Sequence, residues 1–295
     1  MFEQLGLIGC GLIGGSFASA MKRVGLVRRV VGYSKSPTTT QRALQLGVID
    51  VEAPSALLAV SGSDIVLIAV PVAATEATFK AIRQLITPQT LVMDVGSTKR
   101  EVVDAARRTL RDNVVAFVPA HPIAGREVSG IEHADAELFT NRKVILTPIE
   151  RTLDSHVARA TQLWTAIGAQ VVRMSPQAHD AAFAAVSHLP HLIAFALMNG
   201  IAQQRDGEDY LSLAGPGFRD FSRIAASDPH VWRDILLSNR EELLAQSQRF
   251  QQQLVALEKL IAEGNGDALA HQIELASDAR AGLTALTARA RQRSH

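Results

Sequence analysis

Leu5-Gly6-Leu7-Ile8-Gly9-Cys10-Gly11-Leu12-Ile13-Gly14-Gly15-Ser16 is the stretch on which the fold turns. Its first residues are apolar or small, as a strand covered on both faces requires. Gly9, Gly11 and Gly14 then form a G-x-G-x-x-G pattern, with Leu12 and Ile13 inside it. The three glycines serve different physical ends. Gly9 permits the tight turn out of the strand, Gly11 lets a pyrophosphate approach the backbone, and Gly14 lets the next helix pack close to the sheet. That helix, expected over Leu12–Val24, presents unpaired N–H groups to the phosphates. Glycine-rich turns are common, and this one becomes a dinucleotide site only because a strand precedes it and a helix follows. The stretch also imitates the apolar core of a secretory leader, but Glu3 stands where a leader is basic, so a buried strand is the reading.

Outward from this turn, short β-rich runs alternate with helical patterns. Strands are expected at Leu5–Gly9, Arg28–Tyr33, Asp64–Val70, Thr90–Val95, Val114–Pro119 and Lys143–Thr147, with helices over Thr38–Leu46, Thr75–Leu85 and Thr98–Leu110 between them. This alternation predicts an α/β domain, a parallel sheet with helices on both faces, over residues 1–150. From Thr152 helical periods take over, at Ser155–Ile167, His179–Gln203 (broken by Pro190), Val231–Ile261 and Leu269–Ala290. Residues 151–295 are therefore expected to be a helical domain. Its middle helix is too apolar to face solvent, which points to the core of that domain or of a homodimer. The basic tail Arg289–His295 is expected to fray, and no regulatory module is expected after the helices.

Hydrophobic residues make up 47% of the 295 residues, enough for a large buried core. With 30 basic against 29 acidic side chains, the chain has no charge footprint for nucleic acid or an anionic membrane surface. No run reads as long and apolar enough to span a bilayer. The lone cysteine, Cys10, has no disulfide partner in the chain, which suits a reducing cytoplasm. No residue is assigned to a metal.

The end of the second strand bears on the cofactor. A site for NAD usually places a carboxylate about 20 residues after the glycines to hold the ribose 2′-hydroxyl. Here the segment reads Gly32-Tyr33-Ser34-Lys35-Ser36, and no Asp or Glu occurs between Glu3 and Asp50. Ser34, Lys35 and Ser36 offer donors and a positive charge to a 2′-phosphate, so NADP is the expected cofactor and NAD the alternative.

Three further clusters carry chemistry. Asp94-Val95-Gly96-Ser97-Thr98-Lys99 lies at a strand's carboxyl end, where ligands sit in open parallel sheets, although taken alone Ser97 and Thr98 read first as a helix cap. His121-Pro122-Ile123-Ala124-Gly125-Arg126-Glu127 places a histidine at the mouth of the sheet, and an ordinary imidazole pKa of about 6.5 suits proton transfer near neutrality. In the helical half, Ser187-His188-Leu189-Pro190-His191 precedes Gly217-Phe218-Arg219-Asp220-Phe221-Ser222-Arg223. Arg219 and Arg223 share a helix face and either bind a carboxylate or pair with local aspartates.

Together GLIGGS (Gly11–Ser16), DVGSTK (Asp94–Lys99), HPIAG (His121–Gly125), SHLPH (Ser187–His191) and GFRDFSRIAASDPHVW (Gly217–Trp232) resemble the prephenate/arogenate dehydrogenase family, in order and over nearly the whole chain. The resemblance implies a Rossmann-type domain followed by an all-helical dimerisation domain. It implies oxidative decarboxylation of prephenate to 4-hydroxyphenylpyruvate with hydride transfer to NAD(P)+, in tyrosine biosynthesis, or the same reaction on arogenate by an arogenate or broad cyclohexadienyl dehydrogenase. It also assigns roles: His121 to the substrate's ring hydroxyl, Ser97 to orienting His121, Arg223 to the ring carboxylate, His191 and Trp232 to the pocket wall, and Arg219 and Asp220 to support. Arg126 departs from the small hydroxyl residue of many relatives. Its cation would favour the keto acid over the ammonium-bearing analogue, unless it pairs with Glu127. A β-hydroxyacid dehydrogenase would carry a catalytic lysine in the helical half, yet no lysine lies between Lys143 and Lys259. A non-catalytic NADP sensor would not need His121, Ser97 and Arg223 together.

Overall fold

The computed structural model describes residues 1–126 and 128–292, with side chains described through residue 283. The chain divides into two compact units, Met1–Arg240 and Glu241–His295. In chain order the first unit runs β1 (Phe2–Ile8), α1 (Leu12–Arg23), β2 (Val27–Tyr33), α2 (Pro37–Gln45), β3 (Val51–Glu52), α3 (Ala56–Val60), β4 (Ile65–Ile68), α4 (Val72–Ile82), β5 (Leu91–Asp94), α5 (Arg100–Leu110), β6 (Phe117–Val118), β7 (Ala120–Pro122), β8 (Lys143–Leu146), α6 (Asp154–Ala166) and β9 (Gln170–Arg173). It continues through α7 (Pro176–Phe183), α8 (Leu189–Ala202), α9 (Gly207–Ser212), α10 (Pro216–Ser222) and α11 (Pro229–Ser238). The long helices α12 (Arg240–Ala262) and α13 (Gly266–Gln292) make up the second unit, apart from Arg240 itself.

Six strands form one parallel sheet in the order β3-β2-β1-β4-β5-β6. This is the doubly wound Rossmann order, whose direction of winding reverses between β1 and β4. Apolar runs dictate it: the four residues of β4, and likewise of β5, are all buried. One core on the α1 and α6 side gathers Phe17, Phe139 and Trp164, with ring centroids 4.9 Å (Phe17–Trp164) and 5.2 Å (Phe139–Trp164) apart. A second, with Phe79 against Phe117, fills the α4 and α5 side.

The strand expected over Val114–Pro119 is shorter. Residues Arg111–Ala116 form a 3₁₀ turn, β6 closes the parallel sheet, and the chain then turns at Pro119 into a separate sheet, β7-β8-β9. Proline has no N–H to continue a ladder, which ends β6 there. The division expected at 150/151 falls inside this three-stranded sheet, because α6 and β9 follow residue 150 and still contribute Leu163, Trp164 and Val171 to the main core.

The expectation of a break at Pro190 and of no span-length apolar run is corrected. Residues Pro176–Ala202 form one continuous helix of 27 residues, with a mean hydropathy of 1.6 over 18 of them, long and apolar enough to cross a membrane by length and composition. A π-helical turn over Ala184–His188 joins α7 to α8, and Pro190 sits in the first turn of α8, where the missing N–H breaks nothing. Two histidines and an aspartate on this helix, His179, Asp180 and His188, are buried. In the second unit, Leu244, Leu254, Val255, Ile261, Ile273 and Leu275 are exposed on the single chain. The tail Arg289–His295 lies outside the described side chains.

Candidate active site

The cleft opens at the reversal point of the sheet. A cavity of about 610 Å³ is lined by Gly11, Leu12 and Ile13 after β1, by Ala69–Val72 after β4, and by Val95, Gly96 and Ser97 after β5. Arg126 and Ser129 from the loop after β7, and Asp228, Val231 and Trp232 at the start of α11, complete the wall. Gly9 has a φ of +97°, which a side chain tolerates poorly. A Cβ on Gly14 would stand 2.1 Å from the Gly9 carbonyl oxygen, so helix and strand meet as the fingerprint demands. A Cβ on Gly11 would meet nothing within 4 Å. It would stand in the cleft itself, in the space a pyrophosphate needs, and the residues fit a dinucleotide.

At the end of β2, the Ser34 hydroxyl accepts a hydrogen bond from Cys10 N–H at 2.8 Å and ties the glycine turn to the second strand. Lys35 and Ser36 are exposed. Glu52, two residues past the acid-free interval that ends at Asp50, lies beside Gly32 in the β2–β3 register. Burial pushes the Cys10 thiol up to about 11, so it is an unreactive core residue.

Behind the cleft lies a buried polar line that the motifs did not foretell. Asp94, at the end of β5, accepts from Lys99 Nζ at 2.5 Å and from the Gly96 and Ala120 N–H groups at 2.8 and 3.0 Å. Lys99 Nζ also donates to the Ala120 carbonyl at 2.7 Å, and its side chain has no exposure. Burial lowers its pKa, against the pull of Asp94. The helix-cap reading of Ser97 and Thr98 is corrected, since neither side chain caps α5. Instead the carboxylate of Asp180, from α7, receives the Lys99 and Arg100 N–H groups at 2.8 and 2.9 Å and serves the free end of the helix.

The same carboxylate holds His179 Nδ1 at 2.7 Å, and His179 Nε2 lies 2.8 Å from His121 Nδ1. Phe183 packs on both rings, at 4.5 Å from His179 and 4.8 Å from His121. Burial depresses His121 well below the ordinary imidazole value, helped by the positive potential of His179, Lys99 and His188. The expectation of a pKa of about 6.5 at His121 is corrected accordingly. His179 is lowered by burial against the raising influence of Asp180. Burial opposes ionisation of Asp180, but His179 and the two N–H groups outweigh it and hold the carboxyl below its usual range. Among the described residues Ser97 and His121 share no hydrogen bond, and the ring partner of His121 is His179.

In the helical part, His191 stacks on Trp232 with centroids 3.4 Å apart, and its Nδ1–H donates to the Ser187 carbonyl. Buried His188 accepts at Nδ1 from Asn239 Nδ2, and burial lowers its pKa to about 4. Arg219, Asp220 and Arg223 lie on α10 and the turn Arg223–Ala226, whose Ala226 reaches the cleft wall. Arg219 Nε donates to the Ala214 carbonyl rather than to an aspartate. Arg126 pairs with Asp135 at 2.7 Å, while Glu127 lies outside the described residues. Gly11, Leu12, Ile13, Ser97, Arg126 and Trp232 thus line one cleft. Roles for Asp94, Lys99, His179, Asp180 and Asn239 were missed. A His-Asp pair at the head of an otherwise apolar helix was the available signal, because such groups are buried only when bonded.

A Rossmann sheet with a fingerprint turn and a cleft walled by both halves defines a nicotinamide-dependent dehydrogenase. Residues 17–173 match the family model for the prephenate dehydrogenase nucleotide-binding domain, and residues 175–275 match that for the prephenate dehydrogenase dimerization domain. The chain is 36% identical to a prephenate dehydrogenase of Bacillus subtilis, covering 96% of this chain and 76% of that one. It is 34% identical to a cyclohexadienyl dehydrogenase of Zymomonas mobilis, covering 96% and 97%. A crystal structure of prephenate dehydrogenase from Aquifex aeolicus, in complex with hydroxyphenyl propionate and NAD+, superposes with a TM-score of 0.89 at 34% identity over 96% of this chain and 98% of that one. The chain belongs to the prephenate dehydrogenase family.

Proposed function

We propose that this chain oxidatively decarboxylates prephenate to 4-hydroxyphenylpyruvate in the cytoplasm, as a homodimer whose partner covers the exposed apolar faces of the helical half. The observation that carries this reading is that Ser97 from the α/β part and Trp232 from the helical part wall one cleft with the Gly11–Ile13 turn. The bound nicotinamide supplies the hydride acceptor. His121, neutral by burial, takes the ring hydroxyl proton as hydride leaves the carbon that bears it, and returns it to the phenolate oxygen formed when carbon dioxide departs. Arg223 holds the ring carboxylate, with Arg219 and Asp220 in support, and Ser97 contacts the same hydroxyl as His121. His191 and Trp232 form a flat aromatic wall against the ring. Aromatisation drives the loss of carbon dioxide, so these groups position and polarise.

NADP is the cofactor we assign. The reading is supported by exposed Lys35 and Ser36 at the end of β2, with no carboxylate on that strand end; Glu52 beside Gly32 is the counterweight. A broad cyclohexadienyl dehydrogenase is the second reading. The Arg126–Asp135 pair favours it, because a compensated cation discriminates less between a keto acid and an ammonium side chain. Absorbance at 340 nm with prephenate or arogenate and either cofactor tests all of this. Turnover of neither acid sinks the reaction, and turnover of both selects the second reading.

A further inference from the structure

We infer that Asp180 and His179 are a positioning pair that fixes the tautomer of His121, leaving the Nε2 lone pair of His121 as the base. This deepens the proposed reaction and rests on it. Donors and acceptors here form one line in which each step leaves a single choice. Asp180 Oδ1 and Oδ2 accept from the Lys99 and Arg100 N–H groups, which can only donate, so the carboxylate is oriented by backbone alone. A carboxylate so held accepts from His179 Nδ1, which puts the His179 proton there. Its Nε2 is then an acceptor, and the ring nitrogen 2.8 Å away, His121 Nδ1, must carry the hydrogen. The other nitrogen of His121 is left bare.

Phe183 closes on both rings and keeps them in register. Asn239 locks the helix from the other side, since its Nδ2 donates to the backbone carbonyl of Asp180 at 2.8 Å. During the reaction His121 gains the hydroxyl proton at Nε2 and keeps the one at Nδ1. Its new positive charge faces the His179 lone pair, with the Asp180 carboxylate behind it, and no proton need travel along the line.

The test uses the full chain labelled with ¹⁵N-histidine and loaded with NADP+. The His121 signals are assigned by their loss in His121→Asn. The expected result is a protonated Nδ1 and an unprotonated Nε2; a proton on Nε2 overturns the inference whether or not the proposed reaction stands. Kinetics give the second arm. His179→Phe fills the space but accepts nothing, and is expected to lower kcat about 10²-fold, at the low end of a general base's contribution, with little change in KM. His179→Gln offers His121 an amide oxygen and Asp180 an amide N–H, and is expected to stay within about tenfold of wild type. Equal losses in the two variants, or a folded His179→Phe with kcat within about threefold of wild type, overturn it. A wild-type chain inactive on both prephenate and arogenate instead removes the proposed function, while the tautomer result still decides the wiring.

Discussion

The turn from Gly9 to Gly14 and the line from Asp180 to His121 are the two parts of the proposed site, and they are made in opposite ways. The turn is backbone chemistry within a few residues, where Gly9 takes a φ of +97° and Gly14 lets its helix touch the strand. The polar line is side-chain chemistry between distant segments, with Asp180 joined to Lys99 across 81 residues and His179 to His121 across 58. The turn tolerates no added atom at Gly14 and uses no charge. The line is all charge and hydrogen, held away from water. In the proposed reaction, binding is thus entrusted to shape and chemistry to buried polarity.

The comparison breaks first at His121. His121→Asn is expected to lower kcat by about 10²–10⁴-fold with KM little changed, read by steady-state kinetics; a rise in KM alone would move the residue from chemistry to binding. Next is Lys99→Met, which strands Asp94 without its cation and should destabilise the fold by about 3–5 kcal/mol in urea unfolding. Stability within about 1 kcal/mol of wild type would mean that the backbone donors suffice for Asp94.

Acid should then attack the polar line. The unfolded chain protonates its histidines at about pH 6.5, whereas folded His188 resists down to about 4 and His121 and His179 are also lowered. Below about 6.5 the unfolded state binds more protons, so stability falls as the pH drops from about 7 toward about 4, with about 3 kcal/mol traceable to His188 alone. Urea midpoints across that range check the slope, which His188→Gln should flatten. On the binding side, Arg223→Ala should raise KM for the substrate about tenfold or more with kcat nearly kept; loss confined to kcat would reverse the roles of arginine and histidine. The smallest effect is expected at Lys35→Ala, a rise of about two- to fivefold in KM for NADP+ and none for NAD+. Equal changes for both cofactors would end the 2′-phosphate reading.

What could be read in the chain before folding follows the same divide. The alternation of strands and helices, the fingerprint and the switch to helices are written in local periodicity and in glycine spacing, so they were legible. His121 and Ser97 stood out because they sit in short motifs at strand ends. His179 and Asp180 did not, since their meaning lies in partners dozens of residues away. Lys99 was visible in its motif but reads as a phosphate or surface lysine until the fold buries it on Asp94. Glu52 was missed because its neighbour is set by β2–β3 register, not by distance along the chain.

The π-helical turn at Ala184–His188 has a further consequence. An α-helix advances about 100° per residue, so one extra residue in a turn rotates everything downstream by roughly that angle. His179 and Asp180 lie upstream of the turn, and His191 lies downstream, stacked on Trp232. The turn therefore acts as a phase adjuster on a single rod, setting the angle between the end that carries His179 and Asp180 and the end that faces the indole. Deleting one residue there would leave His179, Asp180 and His191 chemically intact and point the two ends in different directions.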